Sequence, residues 1–199
     1  LRHAESEGNA TDDYSTAVHD ALTSLGRMQA ARLAEHLAGI KFDAVYTSPA
    51  RRAMETIAPF LRRHGKKSEI WPELDEACWQ TQRDAVAPTR ARKGPACEIP
   101  TDMRSLFALR TDAPDMAPPD ETYAEGLARA RAAHGLIMRR HAGRPDIILV
   151  SGHRYCGSLL LEMTLGFDPL RRFDHDNACH SLAEEQDDGT FLLKFLNRQ

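Results

Sequence analysis

The chain has 199 residues, 42% of them hydrophobic and 28% charged, with a formal net charge of −3. Those values describe a globular chain of one domain, able to bury a core. They exclude a nucleic-acid binder whose affinity rests on a broad basic surface, and no stretch approaches the ~20 apolar residues of a membrane helix.

Cys78, Cys97, Cys156 and Cys179 are scattered, with no Cys-x-x-Cys pair. That usage fits reduced thiols in a cytoplasmic protein better than a zinc module or a disulfide framework. The sequence opens on Leu1, with Arg2-His3 directly behind it. The opening without methionine predicts that residues precede Leu1, a first strand among them.

In chain order, residues 22–39 place Leu25, Met28, Leu33 and Leu37 at helical spacing and stop at Gly39. Phe42 to Tyr46 alternates as a short strand ending at Thr47-Ser48-Pro49, and Ala50 to His64 has a second helical pattern closed by Gly65. From 78 to 119 the periodicity fades among Pro88, Pro95, Pro100, Pro114, Pro118 and Pro119, with at most a short helix at 103–109. A long irregular segment of this kind predicts an insertion capping the site. Its Arg83, Arg90, Arg92 and Lys93 are either a solvated face or a greeting for an acidic substrate. A helix follows over 120–141, then the apolar strand Ile147 to Val150, a helix over 156–165 and a strand over 190–196 after Asp187-Asp188-Gly189. Together these predict one three-layer α/β/α domain over 1–199, with a mostly parallel central sheet and a cap at 78–119.

In such sheets, reactive groups collect beyond the carboxyl ends of the strands. Three segments fall there: Arg2-His3-Ala4-Glu5, Thr47-Ser48-Pro49-Ala50-Arg51-Arg52 after one strand, and Ser151-Gly152-His153 after another. Two histidines and two or more arginines converging on one edge suit a phosphate dianion. The guanidinium fork matches its oxygens, and a neutral imidazole can attack phosphorus.

The same residues resemble the histidine phosphatase superfamily, the phosphoglycerate-mutase-like proteins. Arg2-His3-Ala4-Glu5-Ser6-x-x-Asn9 is similar to that family's Arg-His-Gly-Glu signature, with Ala4 in place of glycine. Leu22-Thr23-x-x-Gly26-x-x-Gln29-Ala30, Tyr46-Thr47-Ser48-Pro49-x-x-Arg52-Ala53-x-x-Thr56, Leu74-x-Glu76, Ser151-Gly152-His153 and Asn177-Ala178-Cys179 resemble its later blocks, in order. Many members place the histidine of the Ser151–His153 block before its glycine, so the register there rests on His153 alone.

The resemblance implies a phosphomonoester hydrolase acting on a small phosphorylated metabolite. In it His3 is the nucleophile and Glu76 the proton donor. Arg2, Arg52 and His153 hold the phosphoryl oxygens, and Asn9 adds a hydrogen bond. It implies no metal, no organic cofactor, and no nucleic-acid or membrane partner; a homo-oligomer stays open. The residues alone leave Glu73, Asp75 and Glu76 in competition as the acid. Arg51 reads as a solvated helix residue. Asp174, His175, Asp176 and His180 carry ligand chemistry but read as well as a polar loop, so no metal is expected. The alternative functions are a phosphoglycerate-type phosphomutase, or a catalytically silent phosphate-binding protein of the same fold.

Overall fold

A computed structural model describes residues 1–13, 20–78, 97–117 and 121–199. Four parallel strands form the central sheet: β1 (Ala44–Thr47), β2 (Ser68–Ile70), β3 (Phe107–Leu109) and β4 (Ile148–Ser151), in the order β3-β2-β1-β4. Successive strand side chains point to opposite faces, and the hydrophobic clusters divide accordingly. Val45, Ile70 and Leu149 pack with α2 (Ser24–His36) and α3 (Arg51–His64), through Leu33, Met54, Ile57, Phe60 and Leu61. Ala44, Tyr46, Ile148 and Val150 face α4 (Tyr123–His141) and α5 (Arg154–Thr164), through Ala133, Ile137, Cys156 and Leu160. The expected three-layer α/β/α architecture is therefore present.

Helix ends follow local chemistry. Thr23 caps α2 through the Gly26 N–H, Thr122 and Glu125 form a reciprocal capping box on α4, and Gly65 closes α3 in the left-handed region at φ 60°. Short elements with little periodicity escape the sequence reading: α1 (Glu7–Thr11), β2, β3 and β5 (His180–Glu185). The last of these pairs antiparallel with β6 (Phe191–Arg198) across the predicted Asp187-Asp188-Gly189 turn.

The segment expected to be a cap divides. Residues 79–96 and 118–119, with Arg83, Arg90, Arg92 and Lys93, lie outside the described residues. Of the remainder, Met103 and Phe107 enter the core, and Phe107–Leu109 is a sheet strand paired with Ser68–Ile70. No helix runs over 103–109: one 3-10 turn at Thr101–Met103 leads into the strand. Its three residues are too short a run to show alternation among the prolines.

The amino-terminal segment is held between β4 and the β5–β6 hairpin. Gly152 N–H donates to Leu1 C=O at 2.9 Å and His3 N–H to Gly152 C=O at 2.9 Å; on the other side Arg2 N–H donates to Cys179 C=O at 3.0 Å and Ala178 N–H to His3 C=O at 3.1 Å. Backbone hydrogen bonds on both sides thus carry His3 to the carboxyl edge of the sheet. All described helices fall short of a membrane span in length and apolarity.

Candidate active site

Two strand ends and the helices they feed build the site. β1 runs into Ser48 and the first turn of α3, which carries Arg51 and Arg52; β4 runs into Gly152 and His153, the residue before α5. Arginines in the first turn of a helix oppose its dipole, so α3 begins at a concentration of positive charge that calls for anions.

His3 and His153 are both buried, and their rings meet edge to face at 5.2 Å between centroids. Arg52 lies between them. Its Nε donates to His3 Nε2 at 3.2 Å, its Nη2 contacts His153 Nδ1 at 3.1 Å, and its Nη1 pairs with Asp20 Oδ2 at 2.8 Å. A guanidinium can only donate, so the facing nitrogens are the lone-pair atoms of the two rings. His3 Nδ1, at 2.8 Å from the Ala4 carbonyl, then carries the hydrogen. Burial, with the charges of Arg52 and Arg2 added, pushes His3 well below the ordinary histidine value, against a smaller opposing effect of the Ala4 carbonyl. His3 is therefore a neutral imidazole with a defined tautomer and Nε2 facing the cations.

Surrounding residues fix this geometry. Thr56 Oγ1 accepts from Ala4 N–H at 2.9 Å and donates to Arg52 C=O at 2.7 Å. Ala4 has no positive φ, so its methyl group adds no backbone strain where glycine is usual. Glu5 is a structural hub: its N–H donates to Gln29 Oε1 at 2.8 Å, and its carboxylate accepts from Thr23 Oγ1 at 2.6 Å. A Cβ on Gly26 would stand 2.0 Å from the Glu5 carbonyl oxygen, so only glycine lets α2 approach this closely. Asn9 Oδ1 accepts from Asn177 Nδ2 at 2.9 Å, and the same Nδ2 lies 3.0 Å from the His3 carbonyl. Arg2 donates to the His175 carbonyl at 2.7 Å.

The acidic run after β2 separates into three environments. Glu73 is buried in an ion pair with Arg110 at 2.7 Å, away from the histidines' contacts. Asp75 is buried with Oδ1 3.6 Å from His153 Nε2. Glu76 lies against the first turn of α5: Oε1 accepts from Cys156 N–H at 2.9 Å and Ala77 N–H at 3.1 Å, and Oε2 from Tyr155 N–H at 3.4 Å. Arg51 turns away to Glu55 at 2.7 Å, its side chain 38% exposed. Burial raises the thiol of Cys156, three residues past His153, to about 12, so it carries its proton near neutral pH.

His3, Arg52 and His153 thus meet through direct contacts. Glu76 adjoins them through α5, and Arg2 and Asn9 through the amino-terminal segment. Around the other predicted loop, Asp174 pairs with Arg154 at 2.6 Å, His175 Nε2 contacts Ser181 Oγ at 3.1 Å and Asp176 accepts from Asn197 at 2.8 Å. Asp20, Ser48 and Thr56 are the residues whose parts sequence reasoning missed. Ser48 and Thr56 stand in a recognised block without an assigned contact. For Asp20 the available signal was charge balance, since two arginines and two histidines packed together require a carboxylate.

Comparison with known proteins agrees with this architecture. The profile of the histidine phosphatase superfamily (branch 1) matches residues 1–198. The uncharacterized protein Rv0525 of Mycobacterium tuberculosis is 31% identical over 202 residues, spanning 100% of this chain and 94% of the relative. Among solved structures, the alpha-ribazole phosphatase of Shigella flexneri superposes with a TM-score of 0.69 at 22% identity, covering 99% of this chain and 94% of the other. A mycobacterial glucosyl-3-phosphoglycerate phosphatase does so with a TM-score of 0.70 at 18% identity, covering 100% and 97%. At those identities the structures share the fold. With its buried histidine pair on one arginine and a family match along almost its whole length, the chain belongs to branch 1 of the histidine phosphatase superfamily.

Proposed function

We propose that the chain hydrolyses phosphate monoesters of a small metabolite through a phosphohistidine on His3. The observation that carries this reading is the neutral His3 ring, its Nε2 lone pair turned toward the guanidinium of Arg52 and its other nitrogen tied to the Ala4 carbonyl. The phosphoryl oxygens take over the N–H groups of Arg52, freeing Nε2 to attack phosphorus. As the N–P bond forms, the P–O bond to the alcohol breaks and the leaving oxygen takes a proton from Glu76. Oε1 of Glu76 is anchored by two N–H groups, while Oε2 has one long contact among the described residues, so Oε2 is the oxygen able to carry that proton. Water then attacks, Glu76 accepts its proton, and the N–P electron pair returns to His3. Arg2, Arg52 and His153 stabilise the charge on the equatorial oxygens, and Asn9 adds a neutral contact; positioning and charge stabilisation are what phosphoryl transfer chiefly needs.

The reading requires neither metal nor organic cofactor and assigns the activity to the cytoplasm, in keeping with scattered cysteines that form no disulfide framework in the sequence. Its test is turnover of a chromogenic phosphate ester in EDTA by the wild-type protein and His3→Ala. Activity should persist in EDTA and vanish in the folded variant, with acid-labile phosphate trapped on His3 of the wild type. His3→Ala turning over within about tenfold of wild type refutes the mechanism, since loss of an essential nucleophile costs orders of magnitude.

A further inference from the structure

His153 sits in surroundings that should discourage a second proton. Arg52 touches its Nδ1, the positive end of α5 begins at its own position, and its neighbour His3 is neutral. Yet to hold a phosphoryl oxygen through Nδ1 the ring must place a hydrogen there, while its Nε2 already faces Ser48 Oγ at 2.7 Å. A ring protonated at both nitrogens needs an anion nearby. Asp75 supplies one: its side chain is 4% exposed, that of His153 0%, and Oδ1 stands 3.6 Å from Nε2. At that distance the carboxylate acts by charge, with Ser48 making the hydrogen bond. The backbone fixes it in place, because the same Oδ1 accepts the N–H of Glu76 at 3.0 Å.

We propose that Asp75 is a positioning residue whose charge, beside Nε2, holds His153 as a doubly protonated, cationic phosphate ligand once an oxyanion enters the site. Arg52 donates to His153 Nδ1. When an oxyanion arrives, Arg52 turns its N–H groups to the oxygens, Nδ1 takes a proton from solvent, and that new N–H donates to a phosphoryl oxygen. Binding is thereby accompanied by proton uptake. Among the described contacts, His153 meets Arg52 from α3, Ser48 from the end of β1, Asp75 from the loop after β2 and His3 from the amino-terminal segment, while Glu76 of the same loop lies against the first turn of α5. Of these, Asp75 is the carboxylate beside the ring's Nε2. The inference rests on the reading of His153 as a phosphate ligand under the proposed function.

The test uses tungstate, a tetrahedral dianion that carries no proton near neutral pH, and Asp75→Asn, which keeps the acceptor oxygen and removes the charge. Calorimetry in two buffers of different ionisation enthalpy should show proton uptake by the wild type and its loss in Asp75→Asn. The alkaline limb of the kcat profile, which reports the complex, should move to lower pH by about 1–3 units, the usual effect of removing a counter-charge at this range. Tungstate affinity at neutral pH should fall about tenfold for each unit of that shift, and Asp75→Glu should restore part of both. Equal proton uptake and an unmoved limb in Asp75→Asn overturn the proposal. So does a rate loss confined to esters with poor leaving groups, which would make Asp75 the proton donor. If Asp75→Asn does not fold, imidazole titration by NMR in tungstate-bound wild type decides: His153 losing its proton at or below about 6.5 overturns the proposal, and above it supports it. Tungstate binding and titration need no turnover. An inactive protein that shows the shift refutes the proposed function alone, and an active one without it refutes this inference alone.

Discussion

Replacing Arg52 with alanine separates what that residue does for the chemistry from what it does for the fold. The guanidinium meets His3 and His153 through two nitrogens and Asp20 through the third, and only 14% of its side chain is exposed. Removing one charge-stabilising donor ordinarily costs ~10²–10³ in rate. Here two donors and the charge go together, so kcat/KM on a chromogenic ester should fall by about 10³ or more. Asp20, with a side chain 9% exposed, is left without its cation. Stripping one partner from a fully buried pair costs ~3–5 kcal/mol, and this pair's residual exposure lowers the expectation to about 2–3 kcal/mol. For a chain of this size that corresponds to a loss of roughly 5–10 °C in thermal unfolding midpoint, measurable by circular dichroism. The double variant Asp20→Asn/Arg52→Ala removes the stranded charge, so most of the thermal loss should return while the rate stays low. If the double variant regains activity along with stability, Arg52 was acting through the fold and its place in the phosphate clamp is wrong.

Arg51→Ala should stay within about threefold of wild-type activity and cost under about 1 kcal/mol, since it gives up a single half-exposed pair with Glu55; a rate loss equal to that of Arg52→Ala refutes the assignment of the clamp. Glu76→Gln should lower the rate ~10²–10⁴-fold on an alkyl phosphate and far less on an aryl phosphate with an acidic leaving group, if phosphorylation of His3 limits the rate. The same selective loss in Glu73→Gln, with Glu76→Gln unaffected, moves the acid to the wrong side of the Arg110 pair and refutes the assignment. Acid should destabilise the protein early. His3 and His175 are held below the ordinary histidine value of 6.5, chiefly by burial, His175 at about 4. The unfolded chain therefore binds protons that the folded one refuses, and stability is lost as pH falls from about 6.5 towards 4, by about 2–3 kcal/mol for His175. Urea midpoints measured across that range check the slope; a flat profile contradicts the burial of these rings.

Much of the site was legible because its parts stand in short blocks whose spacing survives without any knowledge of packing. His3, Arg52 and His153 each follow directly on a strand or strand-like segment, and strand ends are where an α/β sheet delivers side chains to a common edge. The split between Arg51 and Arg52 follows from helical geometry, since adjacent residues on a helix point about 100° apart. The acidic run was harder. Glu73, Asp75 and Glu76 are separated by contacts with Arg110, His153 and the α5 backbone, partners 37, 78 and 80 positions away that no local pattern reveals. Asp20 was invisible for the same reason, because its partner Arg52 lies in another element. Strand Phe107–Leu109 was missed because three residues beside prolines carry no period, and its place is set by parallel pairing with Ser68–Ile70.

The way the first residues are held has a consequence for how the protein comes into being. Leu1 to His3 find their backbone partners at Gly152 and at Ala178 and Cys179, nearly the whole chain away. Contacts of such separation are closed late, after the loop between them has been ordered. On the ribosome, the segment bearing His3 leaves the exit tunnel well before Gly152, Ala178 and Cys179, and waits for the roughly 150 to 175 residues up to them before its neighbours exist. A nascent chain stalled before Ala178 therefore holds β1, α3 and Arg52 but no completed seat for His3, and the candidate site should assemble in a single step once the β5–β6 region has emerged.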